Sequence, residues 1–334
     1  MPSEALMTSM MRAVFPSGPG GPEVLTCGER PIPQMSDRDV LIKVAYAGVN
    51  RHDYNQRQRG MPPAGATDIL GLEVSGTIVA CGPQAKTYSV GTKVCALVNG
   101  GGYAEYVVAQ DQLILPVPSK LELREAASLP EAMFTAWHNL VDLCSLADKD
   151  IVLIHGGASG VGTMAIQLAR SLGARVFATA GTDESCAFAE NLGAERCFNY
   201  RTQDFVDALL KATHKQGANI ILDMAGGLYA AKNLQALAMR GRISHLSSGQ
   251  EPTYTAPLAL IMQKEALVTG SLLRPLAQER KAAIAQALRE KIWPKIGTDI
   301  APVIDHEFSL NQASEAHRRM EAGLNKGKIL LRIL

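Results

Sequence analysis

What the chain lacks narrows its chemistry before any motif is read. Its six cysteines, Cys27, Cys81, Cys95, Cys144, Cys186 and Cys197, include no C-x-x-C pair and no run at metal-ligand spacing. Zinc ribbons and dithiol redox motifs are thereby excluded, and reduced thiols are expected. Charge of one sign is lacking too: Lys and Arg number 33 against 32 Asp and Glu, which leaves no field to gather nucleic acid or an anionic membrane. Aromatic residues are only 5% of the chain and no basic stripe interleaves with them, so nucleic-acid binding is not expected. The most apolar interval, residues 151–169, is broken by His155, four glycines and Gln167, which argues against a membrane span. Residues 1–10 carry Glu4 and neither a basic nor a long apolar segment; they read as a disordered leader in a cytoplasmic protein rather than a secretory signal. No fixed-period repeat is present, which sets aside solenoids and propellers.

What is present divides in two. At 334 residues the chain suits two domains of ordinary size. Residues 11–132 are rich in proline and glycine, with short β-type runs at 39–46, 74–80 and 103–109, and predict an irregular, mostly β domain. From Ala132 onward strand and helix patterns alternate: 151–155, 161–172, 175–180, 184–192, 197–200, 204–213, 219–223, 229–237 and 242–246. That alternation predicts an α/β, doubly wound parallel sheet over 133–272. After a strand at 267–271, an alanine-rich helix at 279–290 and strands at 303–308 and 329–333 read as a return, 273–334, to the first domain.

The chemistry starts at one loop. Directly after the strand pattern IVLIH comes Gly156-Gly157-Ala158-Ser159-Gly160-Val161-Gly162, and directly after it a helix pattern. Such a turn lets backbone N–H groups approach a diphosphate at the positive end of the helix. Gly157, Gly160 and Gly162 serve the turn, the approach and the helix packing, while Ser159 stands where the usual fingerprint has its middle glycine. NAD enzymes commonly end the second strand with an acid; here it ends Thr179-Ala180-Gly181-Thr182, with room for a 2′-phosphate that Tyr200 and Arg201 would border. NADPH is the expected cofactor, with NADH as the alternative.

Around that loop the segments Gly20-Gly21-Pro22-Glu23-Val24-Leu25, Asn50-Arg51-His52-Asp53, Gly71-Leu72-Glu73-Val74-Ser75-Gly76, Gly101-Gly102-Tyr103-Ala104-Glu105-Tyr106, Leu129-Pro130-Glu131-Ala132 and Thr135-Ala136-Trp137 resemble the quinone oxidoreductases, the zeta-crystallin-like branch of the medium-chain reductases. The likeness runs from Met11 to Leu334 and is nearest to the p53-inducible quinone oxidoreductases, through Gln56-Arg57-Gln58 and residues 65–73. It implies a discontinuous GroES-like catalytic domain, a Rossmann domain, NADPH in the cleft between them, and a homodimer. It also implies a metal-free site, because zinc-dependent relatives have a cysteine where Asn50 stands and a histidine where Leu72 stands.

The resemblance further implies that Asn50, Asp53 and Tyr54 lie beside the nicotinamide and Thr135 on its carboxamide side. Ser159 to Val161 would meet the diphosphate, and Thr179, Gly181 and Tyr200 the adenosine phosphate. Ala225, Gly226, Leu246, Ser247, Ser248, Ser271, Leu272 and Leu273 would line the rest of the channel. Taken singly, Thr135 also suits a helix cap, Asp53 a turn and Ser247 a plain loop. Two departures stand out: Ser185, behind Asp183 and Glu184, occupies the place where the family often has a phosphate-binding lysine, and the loop 58–63 lacks the family's tyrosine over the substrate. The expected reaction is hydride transfer to a quinone or similar conjugated carbonyl, with positioning supplying most of the catalysis. No convincing acid and base pair is legible; Tyr54 and His52 are the candidates for a proton relay. Reduction of an enone or enoyl C=C bond, and a non-catalytic crystallin-like or RNA-binding role, are the rival readings.

Overall fold

The computed structural model describes residues 9–63, 65–249 and 251–334, so of the leader expected at residues 1–10 all but Ser9 and Met10 lie outside the described residues. Met10 itself already opens a strand. In chain order, strand β1 (Met10–Pro16) and β2 (Leu25–Pro31) form an antiparallel pair, followed by β3 (Asp39–Gly48), helix α1 (Arg51–Arg59), β4 (Glu73–Cys81), β5 (Lys93–Leu97), β6 (Tyr106–Gln110) and β7 (Ile114–Pro116). Helix α2 (Pro130–Trp137) then leads through a π-helical stretch, His138–Leu143, into the alternating segment. That segment runs β8 (Ile151–Ile154), α3 (Gly160–Ser171), β9 (Arg175–Ala180), α4 (Asp183–Asn191), β10 (Arg196–Asn199), α5 (Phe205–Ala212), β11 (Ala218–Asp223), α6 (Ala230–Ala236), β12 (Leu237–His245), α7 (Leu258–Lys264) and β13 (Leu267–Gly270). The chain closes with α8 (Gln278–Lys291), β14 (Ile304–Ser309), α9 (Ala313–Glu321) and β15 (Lys328–Arg332).

Two compact units result. The first comprises the chain up to Glu131 with Ala277–Thr298 and Pro302–Leu334; the second comprises Ala132–Leu276 with Asp299–Ala301. The first is built on a seven-stranded sheet of order β14-β15-β3-β4-β5-β7, with β6 on β3. Its central strand β3 buries Val40, Leu41, Ile42 and Val44, and Lys43 is its one exposed residue, because neighbours cover both faces. In the second, six parallel strands stand in the order β10-β9-β8-β11-β12-β13. That is the doubly wound arrangement the alternation predicts, whose order reverses between β8 and β11, the place where such sheets open a crevice at their carboxyl ends.

Helix α1 has no apolar stripe, and periodicity could not have found it. Its start is fixed instead by a capping box: Asp53 accepts the Asn50 N–H at 2.8 Å, so the first turn is satisfied from within. Its end is fixed by Gly60 at φ 67, whose N–H reaches the carbonyls of Gln56 and Arg57. A side chain there would also meet Pro19 N at 2.4 Å.

Candidate functional site

In the second unit the glycine turn joins β8 to α3. Ser159 caps α3, accepting the Gly162 N–H at 3.0 Å, while the N–H groups of Gly160 and Val161, first in the helix, have no intrahelical acceptor. Two glycines are required by close approach: a Cβ on Gly162 would lie 2.2 Å from the Gly156 carbonyl oxygen, and one on Gly157 would lie 2.8 Å from the Ala178 methyl. The cradle therefore fits a diphosphate, with open donors and no side chain in the way.

The other residues expected around a nucleotide in this unit fall along the same carboxyl edge, at the ends of β9, β10, β11, β12 and β13. Thr179 is buried, its hydroxyl 2.9 Å from His155 Nδ1 and its carbonyl accepting the Gly157 N–H, so it braces the turn rather than offering its side chain. Gly181 lies under the Tyr200 phenol, which a Cβ would meet at 2.7 Å; Tyr200 and Arg201 are exposed. Asp183 accepts a 2.7 Å bond from Asn199 Nδ2, which occupies one carboxylate oxygen. The N–H groups of Ala225 and Gly226 are taken by Asp223 Oδ1 at 2.5 and 3.2 Å. Gly226, Leu246, Ser247, Ser248, Ser271 and Leu272 come together around a cavity of about 520 Å³ that His245 and Tyr254 also line. Leu273 is buried. The Ser271 hydroxyl donates to Asn139 Oδ1 at 2.9 Å, as Ser244 does at 2.6 Å, and Asn139 Nδ2 reaches the Thr135 carbonyl. Asn139 stands in the π-helical stretch, a local widening often found at functional sites.

Sequence reasoning missed a relay of one carboxylate and its neutral partners behind this edge. His155 links Thr179 to Asn233 Oδ1 (2.8 Å), Asn233 Nδ2 donates to Asp223 Oδ2 (2.7 Å), and His245 Nδ1 stands 3.4 Å from the same carboxylate. Burial pulls both imidazoles below the usual histidine range against the opposing pull of Asp223. The only signal was an acid at the end of an apolar strand, Asp223 after Asn-Ile-Ile-Leu.

Asn50, Asp53 and Tyr54 belong to the first unit, where they form a cluster of their own. Asp53 takes the N–H groups of Asn50 and Gly71 and the Tyr103 hydroxyl, at 2.8, 2.9 and 3.1 Å. Burial nevertheless pushes its carboxyl up to about 6. The Tyr103 hydroxyl also lies 3.2 Å from His317 Nε2, and His317 Nδ1 lies 3.0 Å from Arg57 Nη1, which donates to Glu321 at 2.7 Å. Burial and Arg57 together pull His317 down to about 3. The guanidinium carbons of Arg51 and Arg57 lie 5.3 and 5.1 Å from the centre of the Tyr54 ring.

Asn50 is the more instructive case. Its Nδ2 donates to Glu73 Oε1 at 3.0 Å and to the Gly48 carbonyl at 3.3 Å, and its Oδ1 accepts from Lys328 Nζ at 2.6 Å. Lys328 and Glu73 are also ion-paired, and both are buried. The amide has thus spent both its protons and keeps one lone pair on Oδ1, so it can accept a hydrogen bond from a ligand but not donate one. Glu73 Oε2 in turn accepts the Glu131 N–H at 2.9 Å. Lys328, Glu73 and Glu131 were not named as site residues, although Glu73 and Glu131 stand inside segments that carry the resemblance; for Lys328 the only cue was a lysine opening the apolar strand KILLR.

A six-stranded doubly wound sheet with an open glycine cradle at its switch point, joined to a GroES-like β unit, defines a nicotinamide-dependent oxidoreductase class. Comparison with known proteins agrees. Residues 36–119 match the alcohol dehydrogenase GroES-like domain and residues 160–289 the zinc-binding dehydrogenase family. A human quinone oxidoreductase is 32% identical over 334 residues, which cover 96% of this chain and 98% of that one. Among solved structures, an NAD-dependent alcohol dehydrogenase (TM-score 0.83, 29% identity, 97% and 100% covered) and a mycobacterial protein complexed with NADPH (TM-score 0.83, 27% identity, 97% and 100% covered) share the whole fold. The chain belongs to the quinone oxidoreductase family of the medium-chain dehydrogenase/reductase superfamily.

Proposed function

We propose that the chain is an NADPH-dependent quinone oxidoreductase that passes hydride to a quinone or similar conjugated carbonyl without a metal. The observation that carries the metal-free reading is the buried Lys328 ammonium, bonded to Asn50 and paired with Glu73. A fixed positive charge there opposes a divalent cation, and the group that replaces a thiolate ligand is a neutral amide whose oxygen already accepts from that ammonium. The quinone reading draws on the full-length likeness to a quinone oxidoreductase.

Bound at the glycine cradle, the cofactor supplies the hydride of its dihydropyridine ring. The chain's own residues bind and orient. Gly160 and Val161 N–H groups and the Ser159 hydroxyl hold the diphosphate, Gly157 keeps the turn close, and Thr179 braces it. Tyr200 and Arg201, beside Gly181, take the 2′-phosphate, and the bond from Asn199 that occupies Asp183 eases the repulsion expected there. Ala225, Gly226, Leu246, Ser247, Ser248, Ser271, Leu272 and Leu273 line the nicotinamide end, with Thr135 at the carboxamide. Asn50 Oδ1 accepts one hydrogen bond from ribose or substrate, Asp53 holds Asn50 in place, and the Tyr54 ring packs at the substrate.

The same reading includes a homodimer. Edge strand β13 exposes Leu267 and Val268, and α7 exposes Leu258 and Met262, an unpaired apolar edge of the kind that pairs with a second copy; sedimentation showing only monomer would remove it. Six unpaired cysteines suit a reducing, cytoplasmic setting.

The test is oxidation of NADPH and NADH side by side with 1,2-naphthoquinone and with a conjugated enone. NADPH with the quinone should be fastest, and Arg201→Ala should raise KM for NADPH by roughly tenfold, one lost charge-assisted hydrogen bond, while leaving NADH unchanged. Preference for the enone, or stoichiometric zinc in active protein, would overturn the reading.

A further inference from the structure

We propose that Glu131 is the proton donor of the reaction, delivering its carboxyl proton to the oxygen of the reduced quinone. The inference rests on the function proposed above and supplies what the sequence did not show, an acid.

The argument is one of charge counting in the first unit. Three carboxyl groups, those of Asp53, Glu73 and Glu131, gather around a single buried ammonium, that of Lys328. The geometry gives Lys328 away: it is ion-paired with Glu73 and bonded to Asn50 Oδ1. Asp53 is answered by two backbone N–H groups and the Tyr103 hydroxyl. Glu131 is left over. Its backbone N–H is spent on Glu73, but its carboxyl makes no hydrogen bond or ion pair among the described residues. Burial and the neighbouring Glu73 carboxylate push that carboxyl up to about 8, with Asp53 adding to the rise and Lys328 and Lys281 opposing it. A neutral carboxylic acid at physiological pH, partly exposed and one residue into α2, is the state a donor needs. Four residues further along the same helix stands Thr135, a spacing that puts both side chains on one face.

The step balances without any further reagent. The C–H bond of the dihydropyridine breaks and its electron pair leaves with the hydrogen, so the nicotinamide is oxidised and the quinone is reduced to a hydroquinonate. The O–H bond of Glu131 then breaks as a new O–H forms on the hydroquinonate, and solvent returns one proton to Glu131 per turnover.

Two measurements test this. Infrared spectra of the ligand-free protein, with isotope-labelled glutamate, should show a protonated-carboxyl stretch at neutral pH that vanishes as the pH passes about 8 and is missing in Glu131→Gln. In steady state, kcat/KM for the quinone should fall above the same pH in wild type. Glu131→Gln should lower kcat on the order of 10²-fold and abolish that limb while KM for NADPH stays unchanged, and Glu131→Asp should recover part of the loss. Absence of the carboxyl stretch at neutral pH overturns the proposal, as does a Glu131→Gln enzyme with full kcat and an unaltered pH limb. Wild-type protein that shows the stretch yet oxidises no NADPH overturns the proposed function instead, and the donor role falls with it.

Discussion

The two units hold their buried polar residues by different means. In the first, full charges face each other across great lengths of chain: Arg57 meets Glu321, 264 residues away, and Lys328 meets Glu73. In the second, a single carboxylate, Asp223, is surrounded by neutral partners, Asn233, His245 and the N–H groups of Ala225 and Gly226. The difference follows from what each unit must secure. Helix α1 has no apolar face to bury, so ion pairs and caps fix it in place, whereas the parallel sheet is held by its own hydrophobic layers and needs only dipoles to trim its carboxyl edge. Buried charges are therefore the brittle half of the molecule.

The sharpest way to break this comparison is Lys328→Met. It strands Glu73 without its cation and should cost about 3–5 kcal/mol in urea unfolding; adding Glu73→Gln should recover part of that loss, and a single variant as stable as wild type would erase the distinction between the units.

The second prediction uses pH. Asp53 is raised to about 6 from an ordinary 3.8, so between those values the native state holds a proton that the unfolded chain has released. Its contribution to stability is complete below about pH 4 and is lost as the pH rises through 6, by about 3 kcal/mol at most. His317, lowered to about 3 from 6.5, acts in the opposite sense: the unfolded chain takes up a proton that the native state refuses, and stability is lost as the pH falls through that window. Asp53→Asn removes the first effect alone, so the stability of the variant relative to wild type should increase from pH 4 to pH 6 in denaturant titrations. A difference that stays flat across that range would contradict the assignment.

The smallest effect is expected in the second unit. Asp223→Asn keeps an acceptor for Ala225 and Gly226 but leaves Asn233 Nδ2 without its partner, at about 1–3 kcal/mol. A loss as large as that of Lys328→Met would show that the Asp223 relay is no more tolerant than the charged cluster.

Local rules carried the reading of the second unit a long way. The apolar runs of β8, β9 and β11 and the glycine turn all act within a few residues of one another, so the elements from β8 to α6 were legible almost to the residue, whereas β12 begins at Leu237 rather than at the expected 242 and α7 was not found. In the first unit, the β1–β2 pair, helix α1 and helix α9 were not found. β2 (LTCGERP) and α1 (RHDYNQRQR) lack a clean period, whereas α9 buries Ala313, Ala316, His317 and Met320 at helical spacing on a face with little apolar character. The site divides the same way. Asn50 could be named from its motif, yet neither the ammonium on its oxygen nor the carboxylate on its nitrogen is near it in sequence, and the Glu131 carboxyl is pushed up only by the burial and the neighbours that the fold delivered.

By itself the sequence determined the α/β alternation, the nucleotide cradle and the family, because a tight turn before a helix is specified by glycines and caps within one short stretch. Which polar side chains would be buried together was decided only in three dimensions. The pairing of Lys328 with Glu73 and Asn50, and the upward push on the Glu131 carboxyl beside them, depend on desolvation and on long-range contacts, and neither is written in any local pattern of residues.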